Sequence, residues 1–269
     1  NFISATDISP TGAAASGNAC FSCVPGSSTG DEGAVEEFVW QSDTLVLAGS
    51  PPTEGWHFTW GTCCRNTAIS NLLAPSSQDW TLRAIMYPYN DPVAGLLPAY
   101  PCYDSSPKFE EKAKTIICTG YPFAYSHNAS DDELDALTYF WSEPLGSNLN
   151  YDPVDTANSQ ALAFVAPYSY DAPIPGNPQL DSITGEISYF SNTAGFFVTC
   201  VKVEAKKCEQ VVAKIYREVQ VMLVDCNVYN PPTDGFNDPP AITAPIGTQT
   251  WINTPTSGLP SYSTTVYAG

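Results

Sequence analysis

Positive charge is scarce in this 269-residue chain: Lys and Arg total 10 against 28 Asp and Glu, a formal net charge of −18. A surface of that sign repels nucleic acid and gains nothing from anionic lipid headgroups, so neither is an expected partner. Long apolar runs are missing as well. None approaches the roughly 20 residues of a membrane-spanning helix, and no membrane insertion is expected. No secretory leader pattern appears, and the chain begins at Asn1 rather than Met, which reads as a processed protein or a piece of a longer one. Only two histidines occur, His57 and His127, both in strand-like aromatic surroundings without an evident acid–base partner. GxSxG, HExxH and phosphate-cradling glycine loops are absent. The chain is therefore not expected to be an enzyme, and no catalytic residue is nominated.

Helical periodicity is nearly absent too. With 24 Pro and 18 Gly, the chain instead repeats short alternating runs bounded by turn residues: 38–47, 56–60, 80–87, 115–126, 137–141, 186–190, 195–203 and 211–224. Period-2 patterning at that spacing predicts an all-β chain of sandwich modules. One short helix is expected near 67–73, ended by Pro75. The polar stretch 104–108, from Asp104 through two serines and Pro107 to Lys108, reads as one boundary. The Pro-rich NPPTDGFNDPP (230–240) reads as a stiff connector. The resulting division is a first sandwich over 1–105, a second over 106–230, and a linker with the first strands of a following module over 231–269. In the second, LDSITGEI (180–187) has the turn chemistry of Asp181, Thr184 and Gly185. A long hairpin follows, and Lys214, Arg217 and Glu218 on its return strand are expected to be solvated.

CTGYPFAYSHNASDDELDALTYFW (118–141) is the most informative stretch. Tyr121, Phe123 and Tyr125 alternate with smaller residues, and Leu137, Tyr139 and Trp141 resume the pattern. Between them Asp131, Asp132, Glu133 and Asp135 form an acidic corner. Carboxylates so crowded repel unless solvated or sharing a hard cation, and Ca²⁺ prefers oxygen ligands. Asn128, Asp131, Asp132, Glu133 and Asp135 are the candidate metal ligands; no other cofactor is expected.

Nine cysteines point to an oxidising compartment and disulfide staples, with at least one thiol left over. Cys118 and Cys226 frame the second block, and their bridge would be worth about 4–5 kcal/mol by loop-closure entropy. Cys200 and Cys208 are placed to close the long hairpin. The adjacent Cys63 and Cys64 are expected to reach different partners, one Cys20 or Cys23 and the other Cys102.

Five segments carry a resemblance. Four are HFTWGTCCRNTAISNL (57–72), ICTGYPFAYSHNASDDELDALTYFW (117–141), LDSITGEISYFSNTAGFFVTCVKV (180–203) and KIYREVQVMLVDC (214–226). The fifth is 102–112, which opens on Cys102 and Tyr103 and closes on PKFEEK (107–112). Together they resemble a tandem-repeat unit of giant surface proteins of the Bacteroidota, the gliding-motility adhesins among them. ITAPIGTQTWI (242–252) and LPSYSTTVYAG (259–269) resemble the start of a next repeat. The resemblance implies Ig-like or cadherin-like modules in tandem, type IX secretion, a cell-surface location, and a structural or adhesive role in gliding, attachment or surface filaments. Expected partners are neighbouring repeats and identical protomers in a homo-oligomeric or filamentous assembly, with surface glycans as further targets. The rival reading is a carbohydrate-binding module of a secreted hydrolase, since six Trp and 15 Tyr could supply stacking platforms.

Overall fold

A computed structural model describes residues 1–7, 36–96, 104–113, 116–147, 151–154 and 160–225. The first strands are β1 (Phe2–Asp7), β2 (Glu36–Trp40), β3 (Trp56–Thr62), β4 (Trp80–Met86), β5 (Asn90–Asp91) and β6 (Gly95–Leu96). Next come β7 (Lys108–Phe109), β8 (Ile116–Cys118), β9 (Pro122–Ser126), β10 (Ala129–Ser130) and β11 (Ala136–Trp141). The last are β12 (Gln179–Leu180), β13 (Glu186–Phe190), β14 (Gly195–Lys207) and β15 (Gln210–Val224). The expectation of an all-β chain holds.

The hairpin of β14 and β15 organises everything else. Its strands turn at Cys208 and Glu209, both at positive φ, and pair from Gly195 opposite Leu223 to Lys207 opposite Gln210. A six-stranded sheet grows around it in the order β11-β14-β15-β4-β3, with β8 added in parallel at the far end of β15. Alternation gives this sheet two faces. One face carries Phe197, Val201, Val203, Ile215, Val219 and Val221, which pack against Ile187 and Tyr189 of β13 and Phe123 of β9. Those residues belong to a second, three-stranded sheet, β12-β13-β9. Two layers thus enclose one core, as a sandwich requires. Each such fully buried aliphatic or aromatic side chain contributes roughly 1.5–3 kcal/mol. The opposite face is covered by loops, where Ile69, Leu72, Leu162 and Phe164 pack on Val198.

The turn chemistry expected at 180–187 is present. Asp181 Oδ1 accepts the N–H groups of Ile183 and Thr184, both at 2.8 Å, and Gly185 sits at φ 69. A side chain at that glycine would collide with the ring of Tyr139, its Cβ falling 2.5 Å from the nearest ring atom.

Four expectations are corrected. Residues 1–105 and 106–230 are not separate sandwiches, because β4 pairs with β15 (Ala84 opposite Ile215, Met86 opposite Ala213), and all described residues fall in one unit, Asn1–Asp225. Period-2 patterns locate strands but carry no information on which distant strand they will pair with. The helix expected at 67–73 is not formed. Asn71 donates to Pro173 O at 2.7 Å and Val198 O at 2.8 Å and accepts from Val198 N, which holds this segment extended against β14. The strand expected over 38–47 ends at Trp40, and Val46 beyond it is 91% exposed. Glu218 is not solvated: it lies in a buried ion pair with Arg65, while Lys214 reaches Glu204 at 3.4 Å and Arg217 donates to backbone carbonyls of Glu111 and His127.

Candidate functional site

Two places on this scaffold concentrate chemistry. The first is the wing formed by β3 and β4, which extends the large sheet to one side. On its core-facing side stand Phe58, Trp60, Trp80 and Leu82, with register pairs Phe58 opposite Ala84 and Trp60 opposite Leu82. Little of the second sheet reaches this far, so Phe58 is 41% and Trp80 36% exposed. The antiparallel pair of β1 and β2 brings two more rings. Phe2 lies 5.3 Å from Trp40, Trp40 6.2 Å from Trp60, and Trp60 6.2 Å from Trp80, centroid to centroid. A cleft of about 590 Å³ opens among Trp40, Trp60, Trp80 and Leu82, with Asn1, Gln41 and Ser42 on its polar rim. A second hollow of about 360 Å³ shares Trp60 and Leu82 with it and runs on past Phe58 to Phe109 and Tyr216. The volume of the first cleft lies in the range of small-ligand sites.

The second place is the acidic corner, which the structure rearranges relative to the expected ligand set. Asp131 Oδ1 accepts the N–H groups of Glu133 at 3.1 Å and Asp135 at 3.0 Å, closing the corner locally. Asp132 turns outward to pair with Lys108 at 2.6 Å, both exposed. Glu133 accepts from the backbone N–H and hydroxyl of Ser105. Asn128, at φ 43, donates its backbone N–H to Ser126 Oγ and accepts from Glu110 N–H. Only Asp131 and Asp135 of the five share a buried pocket, and they are joined by Asp104, from the segment read as a boundary.

Lys207, at the end of β14, lies 3.6 Å from Asp104 Oδ1 and 3.4 Å from Asp135 Oδ2. Asp104 Oδ1, Asp131 Oδ2 and Asp135 Oδ2 are all buried, and the first and last face the Lys207 ammonium and each other. Burial first, then the hydrogen bond and charge of Asp135, raise the Asp104 carboxyl to about 7 against the pull of Lys207. Burial also raises Asp131. Sequence reading missed Asp104 and Lys207 because one stands in a presumed linker and the other on a strand presumed solvated.

His57 bonds Tyr151 Oη at 2.8 Å and Glu54 O at 2.9 Å, and Arg83 lies over the Tyr151 ring. His127 is 1% exposed and edge-on to Phe109 and Tyr125, and neither ring nitrogen has a hydrogen-bond partner among the described residues. Burial lowers its pKa to about 3, with the Arg217 charge adding to the effect.

One expected cysteine pairing is not formed. The sulfurs of the adjacent Cys63 and Cys64 lie against each other, and their expected partners lie outside the described residues. Among the described residues Cys200 and Cys208 are free, one buried and one exposed. They lie on one extended strand and its turn, and eight residues at about 3.3 Å each hold them far beyond bonding distance. Cys118 is disulfide-bonded, while Cys20, Cys23, Cys102 and Cys226 lie outside the described residues.

Comparison with protein-family models, with curated proteins and with solved structures finds no match.

Proposed function

We propose that this chain is a non-catalytic structural and adhesive segment of a large extracellular bacterial surface protein or filament, exported by the type IX route and working beside neighbouring repeats and identical protomers. The observation that carries the reading is the row of rings Phe2, Trp40, Trp60 and Trp80, partly exposed and running from the β1-β2 pair onto the edge of the large sheet. Exposed aromatic surface is costly in water and marks contact sites, and Trp and Tyr dominate the energetics of such contacts. Calcium belongs to the proposal at the acidic corner. Asp104, Asp131 and Asp135 offer the carboxylate oxygens a hard cation takes, and because Lys207 already stands against two of them, a bound ion would displace its ammonium. Bound there, calcium would tie the 104–105 segment to the acidic corner.

The polar rim of the cleft, Asn1, Gln41 and Ser42 around three Trp rings, gives the carbohydrate-binding reading its own footing, because sugars combine apolar C–H faces with hydroxyls. Retention of the purified chain on glycan-coated and on plain apolar surfaces, followed by microbalance, tests the proposal. Trp60→Ala is expected to cut retention at least tenfold with the far-UV circular dichroism unchanged. Unchanged retention would remove the wing from the function. Competition by free oligosaccharide on the glycan surface alone would move the chain to the carbohydrate-binding class.

A further inference from the structure

Among the described residues, the outer strand of the wing is an open edge. β3 pairs with β4 on one side only, as the last strand in the order of the large sheet. The direction of its backbone groups follows from its neighbour. Thr81 of β4 and Tyr87 just beyond it send their N–H groups away from β3, to Leu145 O and Val212 O. In an antiparallel ladder, residues opposite one another turn their groups inward together or outward together. Gly61 is opposite Thr81, so Gly61, and by alternation Thr59 and His57, turn their N–H and C=O groups outward. No backbone or side-chain bond satisfies them among the described residues.

Natural sheets guard such edges with lysine, proline, bulges or very short strands. β3 has none of these. It is seven residues long, WHFTWGT, without a formal charge, and its register with β4 is unbroken. In a molecule of net charge −18, an uncharged strip is where two identical chains meet with the least repulsion. Its sequence is also self-complementary. A two-fold axis through Thr59 sets Thr59 opposite Thr59 and His57 opposite Gly61 in hydrogen-bonded pairs, which uses every outward group. The same axis sets Phe58 opposite Trp60 in the closer non-hydrogen-bonded pairs. Thr–Thr and aromatic–aromatic cross-strand pairs are both favourable.

We propose that two copies of this chain pair antiparallel through β3 about a two-fold axis at Thr59, making one continuous sheet across the pair. The proposal rests on the reading above that identical protomers assemble, and it names the surface. Such an interface is isologous and closes on itself, so a filament would need a second, different contact.

Sedimentation of the full chain across concentrations, with residue-resolved amide exchange, tests it. The expected result is a reversible dimer in which the His57, Thr59 and Gly61 amides become protected as concentration rises. Thr59→Pro removes an outward N–H while leaving the ladder to β4 intact, and it should weaken the dimer at least tenfold with the monomer's near-UV spectrum preserved. Thr59→Lys, which sets two like charges face to face, should do the same and covers failure of the proline variant to fold. A wild-type chain that stays monomeric overturns the pairing together with the assembly reading. A dimer that both variants leave intact overturns the pairing alone. A dimer lost on removal of residues 241–269, but not in either variant, overturns it in favour of that segment as the contact.

Discussion

Arg65→Ala is expected to destabilise the fold by about 3–5 kcal/mol, the cost of leaving a buried carboxylate without its cation. Arg65 donates to Glu218 through Nε at 2.9 Å and Nη2 at 2.6 Å, and to the carbonyls of Leu145 and Asp79. Its side chain is 2% and that of Glu218 7% exposed. Burial raises the Glu218 carboxyl despite the guanidinium beside it, so the pair does not fully offset its own desolvation. Removing one partner therefore costs more than the pair contributes. The double variant Arg65→Met with Glu218→Leu should recover most of the loss, since similar volume is kept and no charge stays buried. Urea unfolding checks both, and a loss below about 1 kcal/mol for the single variant would show that water reaches Glu218.

Acid should act on the fold through two groups of opposite sign. Asp104, whose side chain is 1% exposed, titrates near 7 in the folded chain and near 4 unfolded, so the folded state holds the extra proton between those values. Its stabilisation is complete below about pH 4 and is lost as pH rises through 7. His127 titrates near 3 when folded and near 6.5 unfolded, so its contribution is complete above about pH 6.5 and is lost as pH falls through 3. Each contribution is of order 2–4 kcal/mol at full extent, and in the native chain they largely cancel over the shared window. Single variants uncover them. Relative to the wild type, Asp104→Asn should gain about 2–4 kcal/mol of stability as pH rises from about 4.5 to 8. His127→Phe should gain relative to the wild type in the reverse direction, on acidification. Parallel pH profiles for all three proteins, measured by urea unfolding, would contradict both assignments.

Local features of the fold are legible in the sequence wherever period-2 patterning runs between clear turn residues. Glu186–Phe190 forms as read, and Trp56–Thr62 and Ala136–Trp141 differ from expectation only at their ends. The Asp181 turn follows from residue chemistry acting within three positions. What could not be read is non-local. Nothing in the alternation of 80–87 says that its strand will lie beside 213–215, and the supposed boundary at 104–108 contributes the start of β7 and the buried Asp104. The acidic corner is visible as a charge cluster. Its division into outward Asp132 and buried Asp131 and Asp135 depends on Lys108 and Lys207, which arrive from other elements. The ring row is half visible, as Trp60 and Trp80 within alternating runs. Alternation does not say that their face stays partly exposed or that Phe2 and Trp40 join it.

Immunogold labelling of intact, unpermeabilised cells with antibody against residues 36–225 tests the central claim most directly. The adhesive-segment reading predicts gold on the outer surface, in clusters or along filaments, at the same density before and after permeabilisation. Gold that appears only after permeabilisation would contradict it.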